Sequence, residues 1–178
     1  MAMEIIFGFG SLINTDSLRS TVLEVSDIKP AYVNGFMRRF NLWNDLGFRT
    51  YNPGYMGIPH CVLDVEKISD SKSRVNGIAF KVSESQLDKL KNREEGYKLV
   101  KTTVYEFKTN KKLGDCHLFS ACKNNGKYEF ESRVQRKYLE ICMEGAKKFG
   151  DEFYQEFLDT TYIDDTPLSK ISKIISNV

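Results

Sequence analysis

Two short stretches of the 178-residue chain carry residue types that could do chemistry. The first, FGFGSL at residues 7–12, runs an apolar segment into two glycines and a serine. Glycine costs backbone entropy and supplies no packing, so its use there needs a reason. In a strand-to-helix turn, the backbone N–H groups of Gly10, Ser11 and Leu12 could face an anion, helped by the partial positive charge of a helix start. A carboxylate would fit. The second stretch, NREEGY at residues 92–97, sets Glu94 beside Glu95 at a helix end. Neighbouring residues point about 100° apart on a helix, so one carboxylate can face an interior while the other stays wet. A carboxylate against apolar walls has its pKa raised and can take and return a proton near neutrality.

Each stretch also has a plainer reading, which is the stronger one when the stretch is taken alone: a tight connection at Gly10, and a solvated Glu pair. Known motifs do not decide the matter. A G-x-G-x-x-G fingerprint fails because Ile13 stands where the third glycine belongs, and G-x-S-x-G fails because Phe9 and Ile13 lie two residues either side of Ser11. Nor is there a G-x-x-x-x-G-K-[ST] phosphate loop.

These stretches must be positioned by the elements around them. EIIFGF reads as a strand, and NTDSLRSTVLEV as a helix capped by Asn14, Thr15 or Asp16, with Leu18, Val22 and Val25 on one face. Residues 31–44 read as one β segment with a bend or bulge at Gly35. Residues 47–59, dense in Gly, Pro and Asn, read as an irregular loop that could serve as a lid. HCVLDVEK and VNGIAFKV read as strands. Ser83, three residues before Gln86, makes a capping-box spacing that opens a short helix with Leu87 and Leu90 on one face and Gly96 as its stop. LVKTTVYEFK and CHLFSAC resume the β pattern, and helices close the chain from about residue 131. Strands first and long helices last favour one α+β domain over residues 1–178, its strands satisfied best by a small, partly closed β-barrel flanked by helices.

Composition narrows the partners. Lys+Arg 26 against Asp+Glu 24 leaves a net charge of +2, with the basic residues scattered, which argues against a dedicated nucleic-acid binder and for a small-molecule partner. No apolar run is long enough to span a bilayer, and MAMEIIFGFG has an acid where a signal peptide carries positive charge, so a cytoplasmic protein is expected. Cys61, Cys116, Cys122 and Cys142 form no C-x-x-C pair, and only His60 and His117 could join them as ligands. The expectation is thiols without a metal or disulfide framework.

In order and spacing, FGFGSLIN, VNGFMRRF, VNGIAFKV and LDKLKNREEGYKLVKTTVYEF resemble the γ-glutamylcyclotransferases, closest to their ChaC-like branch, over about residues 4–108. That resemblance implies a mixed β-barrel fold and an enzyme that uses no metal or cofactor. Its substrate would be a γ-glutamyl amide, whose own α-amine attacks the γ-carbonyl, closes 5-oxoproline and expels an amine. It further implies that Glu94 is the general acid/base, with Glu95 the alternative if the alignment anchors on EGY. Gly10, Ser11 and Leu12 would hold the glutamyl group, Arg39 would pair with a substrate carboxylate, and Tyr97 would pack at the rim. Phe9 stands where the family usually has Tyr, so that hydroxyl would have to come from Tyr32, Tyr51 or Tyr55. A non-catalytic binding module on the same fold is the alternative.

Overall fold

The computed structural model describes residues 3–48 and 53–175. Strand β1 (Glu4–Gly8) leads through a 3-10 turn (Ser11–Ile13) into α1 (Thr15–Arg19), followed by β2 (Ser26–Asn34) and β3 (Phe36–Asn44). Next come β4 (His60–Lys67), β5 (Arg74–Val82), α2 (Glu84–Arg93), β6 (Lys98–Glu106) and β7 (Lys112–Ser120). The chain continues with α3 (Arg133–Lys147), α4 (Asp151–Asp159), β8 (Thr161–Ile163), β9 (Thr166–Pro167) and α5 (Ser172–Ile175).

Five strands form a barrel in the order β1-β5-β2-β6-β7. All neighbours are antiparallel except β1 and β7, whose parallel pairing of Ile6 with His117 and Phe7 with Leu118 completes the ring. The α+β class and the small mixed barrel expected from the sequence are present, and the barrel is closed rather than partly closed. Closure leaves it no unpaired edge.

A second sheet, in the order β4-β3-β8-β9, was not foreseen. The β segment over residues 31–44 divides at Gly35, which has φ +76°, so that β2 belongs to the barrel and β3 to the second sheet. The helix after Asn14 stops at Arg19; Val22 is buried just beyond it, and Val25 leads into β2. The end of the chain is not wholly helical either, because Thr161–Ile163 leaves α4 to pair in parallel with β3.

Arg38 explains much of this arrangement. Its side chain is fully buried and reaches the Phe9 carbonyl at 3.0 Å, the Asn76 carbonyl at 2.7 Å and Asn76 Oδ1 at 2.9 Å. It also donates to Thr161 Oγ1 at 2.7 Å and Thr160 Oγ1 at 3.1 Å, and lies 4.2 Å from the Phe157 ring centroid. One planar fork of donors thus joins β3, β5, the end of α4 and the turn after β1. Burial lowers its pKa to about 9, which leaves it charged at neutral pH.

Candidate active site

The turn that follows β1 is fastened from three sides. Asn14 caps α1 by accepting from the N–H groups of Asp16 and Ser17, while its Nδ2 donates to the Ile141 carbonyl of α3 at 3.1 Å. The first bond of the 3-10 turn runs from the Ile13 N–H to the Gly10 carbonyl at 3.0 Å, so the N–H groups of Ser11 and Leu12 stand ahead of that turn's ladder. Beside it lies a recess of about 20 Å³ lined by Phe7, Phe9, Gly10, Ser11, Leu12 and Leu63, together with Glu94, Tyr97, Phe119 and Tyr138.

The capping box foreseen at Ser83 and Gln86 starts α2, whose buried Leu87 and Leu90 hold its inner face. Its last residue, Arg93, turns back to the 11–21 segment. One guanidinium nitrogen donates to the Ser17 carbonyl at 2.6 Å and Thr21 Oγ1 at 3.0 Å, the other to Ser17 Oγ at 2.7 Å and Ser11 Oγ at 3.1 Å. Nε of Arg93 also lies 3.2 Å from Glu94 Oε1, and the Glu94 side chain is only 16% exposed. Glu95 is exposed.

Two tyrosine hydroxyls clasp a single residue of β4. Tyr97 donates to the Leu63 carbonyl at 2.9 Å, and Tyr138, on α3, accepts from the Leu63 N–H at 3.3 Å. Burial holds both phenols well above their ordinary pKa, so near neutrality they are protonated and neither can act as a base.

A larger cleft of about 340 Å³ adjoins the recess. Ser11, Glu94, Tyr97 and Tyr138 line both cavities, whereas Glu95 lines only the larger one. Other parts of its wall are Trp43, Phe48, His60, Lys123 and Asn125. Lys123 and Asn125 arrive on the segment after β7, which is tied down by buried Asp64: its Oδ1 accepts from the N–H groups of Val65 at 2.9 Å and Ala121 at 3.0 Å. Burial raises the Asp64 pKa, with these backbone donors opposing. Asn125 Oδ1 then accepts from the Trp43 N–H at 3.1 Å.

The arrangement puts a shielded carboxylate, the first N–H groups of a 3-10 turn and two protonated phenols at the junction of a small recess and a roomy cleft. Such a site can bind a short acidic group at one end, accommodate a variable group at the other and move a proton between them. The family model for ChaC-like proteins matches residues 5–154. The chain belongs to the ChaC-like family.

Its fold is similar to that of solved structures over nearly its whole length. A γ-glutamyl cyclotransferase superimposes with a TM-score of 0.66 at 16% identity, covering 99% of this chain and 97% of the other. The human protein loc79017 gives 0.66 at 15%, covering 99% and 98%. A γ-glutamyl cyclotransferase from yeast, specific to glutathione, gives 0.58 at 14%, covering 89% and 97%. No curated protein sequence matches significantly.

The sequence-predicted residues of this ChaC-like chain fall unevenly around the site. Gly10, Ser11, Leu12, Glu94 and Tyr97 meet at the recess. Arg39 lines neither cavity; its Nη2 lies 2.8 Å from Met37 Sδ, and the buried arginine of the pair is Arg38. Tyr32 is stacked on Tyr105 and donates to Asn110, and Tyr55 likewise lines neither cavity. Tyr51 lies outside the described residues. The phenols that line the recess together with Phe9 are those of Tyr97 and Tyr138. Arg93, Tyr138 and His60 were not foreseen as site residues. Tyr138 was legible only as one of the apolar stripe of α3, and Arg93 only as a basic residue in a last helical turn. Among the described residues, no group of three or more His, Cys, Asp or Glu side chains could hold a metal ion, and no helix is long and apolar enough to cross a membrane.

Proposed function

We propose that this chain is a γ-glutamylcyclotransferase, which releases 5-oxoproline from a γ-glutamyl amide with Glu94 as general acid/base. The observation that carries this reading is the position of Glu94, shielded and shared by the recess and the cleft, while Glu95 is exposed and borders the cleft alone.

The glutamyl group sits at the recess, its α-carboxylate held by the N–H groups of Ser11 and Leu12, with the departing amine in the cleft. Glu94 takes a proton from the α-ammonium. The freed amine attacks the γ-carbonyl of the same molecule and the five-membered ring closes; Glu94 returns its proton to the leaving nitrogen, the C–N bond breaks, and the ring nitrogen gives up its second proton to the departing amine, which leaves as an ammonium. Nucleophile and electrophile are joined, so rate is gained chiefly by holding the folded conformer; oriented intramolecular reactions reach effective molarities of ~10⁵ M or more. A well-placed acid/base adds roughly 10²–10⁴-fold. Arg93 holds both the Ser11 hydroxyl and the Glu94 carboxylate, which keeps binding turn and base in register. Arg39 has no part in this reading.

The test is mass-spectrometric detection of 5-oxoproline after incubation with glutathione, γ-glutamyl amino acids and γ-glutamylamines, beside Glu94→Gln. Product from the wild type alone supports the reaction and the role. Binding without product from any substrate would make the chain a γ-glutamyl binding module.

A further inference from the structure

One wall of the cleft carries a side chain, His60, with no task in this reaction. Phe48, His60 and Tyr138 all line it. The Phe48 and His60 rings stack with centroids 4.8 Å apart at 26°, and His60 leans on Tyr138 at 5.4 Å and 49°. His60 is 2% exposed. Its Nδ1 lies 3.0 Å from the Ile58 carbonyl oxygen. A carbonyl oxygen only accepts, so Nδ1 carries the hydrogen, and the neutral ring presents Nε2 as a lone-pair acceptor. Burial lowers the His60 pKa, which favours that neutral form. Nε2 is itself buried and has no hydrogen-bond partner among the described residues. An unmet buried acceptor is costly, and natural structures rarely leave one without a reason.

We propose that Nε2 of His60 accepts a hydrogen bond from a donor on the amine side of the substrate, making His60 a specificity-determining residue for the leaving group. This rests on reading the cleft as the leaving-group side of a γ-glutamyl site. A neutral acceptor between aromatic rings selects a particular chemistry. It favours an amine bearing an N–H, O–H or S–H donor on an otherwise apolar body. It disfavours an aliphatic amine, which leaves Nε2 unmet, and a carboxylate, which sets acceptor against acceptor. A site built to bond a donor discriminates against the analogue that lacks it more sharply than an apolar pocket discriminates by size.

The experiment uses matched substrates that differ by one donor: glutathione and S-methylglutathione, γ-glutamyltyrosine and γ-glutamylphenylalanine, γ-glutamylserine and γ-glutamylalanine. The wild type should prefer the donor-bearing member of at least one pair by roughly tenfold in kcat/KM, chiefly through KM. His60→Phe should erase that preference. His60→Gln, which can place an acceptor near the position of Nε2, should restore part of it, and His60→Asn, which mimics Nδ1, should not. A second measurement needs no turnover. The chain has only two histidines, so ¹H–¹⁵N spectra of the imidazoles can be followed in Glu94→Gln as each compound is added. Donor-bearing ligands should move the His60 Nε2 resonance. Such shifts without any 5-oxoproline from the wild type would leave this inference standing and sink the catalytic reading. Product formation with an unchanged preference in His60→Phe, or an Nε2 signal that no ligand moves, would overturn the inference.

Discussion

The hydroxyl of Tyr138 lies 3.0 Å from the point where a β-carbon on Gly10 would sit. A side chain at Gly10 would therefore crowd its neighbour: α3 brings the Tyr138 hydroxyl against the β1 turn where nothing projects from it. Gly10→Ala should push Tyr138 off the Leu63 N–H and cut turnover by about tenfold or more. Tyr138→Phe removes the crowding atom, so Gly10→Ala combined with Tyr138→Phe should lose less than the two single losses added. Strict additivity in a double-mutant cycle would show that the contact is unimportant.

Arg93 makes its bonds through a fork that lysine cannot reproduce. Arg93→Lys should therefore lose most turnover, because it releases Ser11 and Glu94 together, and should destabilise the fold by about 1–3 kcal/mol. Urea melts and 5-oxoproline assays check both. A lysine variant with wild-type kcat would mean that Arg93 anchors α2 and nothing more.

The neighbours Arg38 and Arg39 should respond oppositely. Arg38→Met strands several buried acceptors, among them the Phe9 carbonyl and Asn76 Oδ1, at a cost of about 1–3 kcal/mol each, so a loss above about 3 kcal/mol is expected. Arg39→Ala touches neither cavity and should stay within about 1 kcal/mol of the wild type, with turnover unchanged. A large loss of turnover in Arg39→Ala would restore the role that its sequence context suggested.

Asp64 gives a pH dependence with a definite sign. Burial raises its pKa above the ordinary 3.8, so between 3.8 and the raised value the folded chain binds the proton more readily than the unfolded one. Above that window the folded state carries the full cost of a buried anion; the cost falls as pH drops through the raised value and levels off below 3.8. Asp64→Asn keeps an acceptor for the Val65 and Ala121 N–H groups but never ionises. Its stability relative to the wild type should therefore be greatest at neutral pH and decline toward acid. Denaturant midpoints across pH measure this, and a pH-independent difference would contradict it.

Local chemistry was legible in the sequence where the interaction is local. The Ser83–Gln86 box, the Asn14 cap and the bounds of β4 depend on residues a few positions apart. The division of residues 31–44 between two sheets was not legible, since both halves have the same β character and only distant partners separate them. Thr161–Ile163 read as helix because the pull of buried Arg38, 123 positions from Thr161, leaves no local trace. The candidate site divides in the same way. The glycine turn and the Glu pair were visible, and the family resemblance already put Glu94 ahead of Glu95; that Glu94 is shielded while Glu95 is exposed was not legible. His60 and Tyr138 became site residues only when the β4 strand and α3 met.

The scattered origin of the recess has a consequence for the protein as it leaves the ribosome. Its walls come from residues 7, 9–12, 63, 94, 97, 119 and 138, and β1 stays unpaired on one side until β7 arrives. A nascent chain can thus hold the turn after β1 and Glu94 long before it holds the recess. The recess lacks one wall until Tyr138 has emerged, and a ribosome stalled before that codon would display a polypeptide with the recess still open.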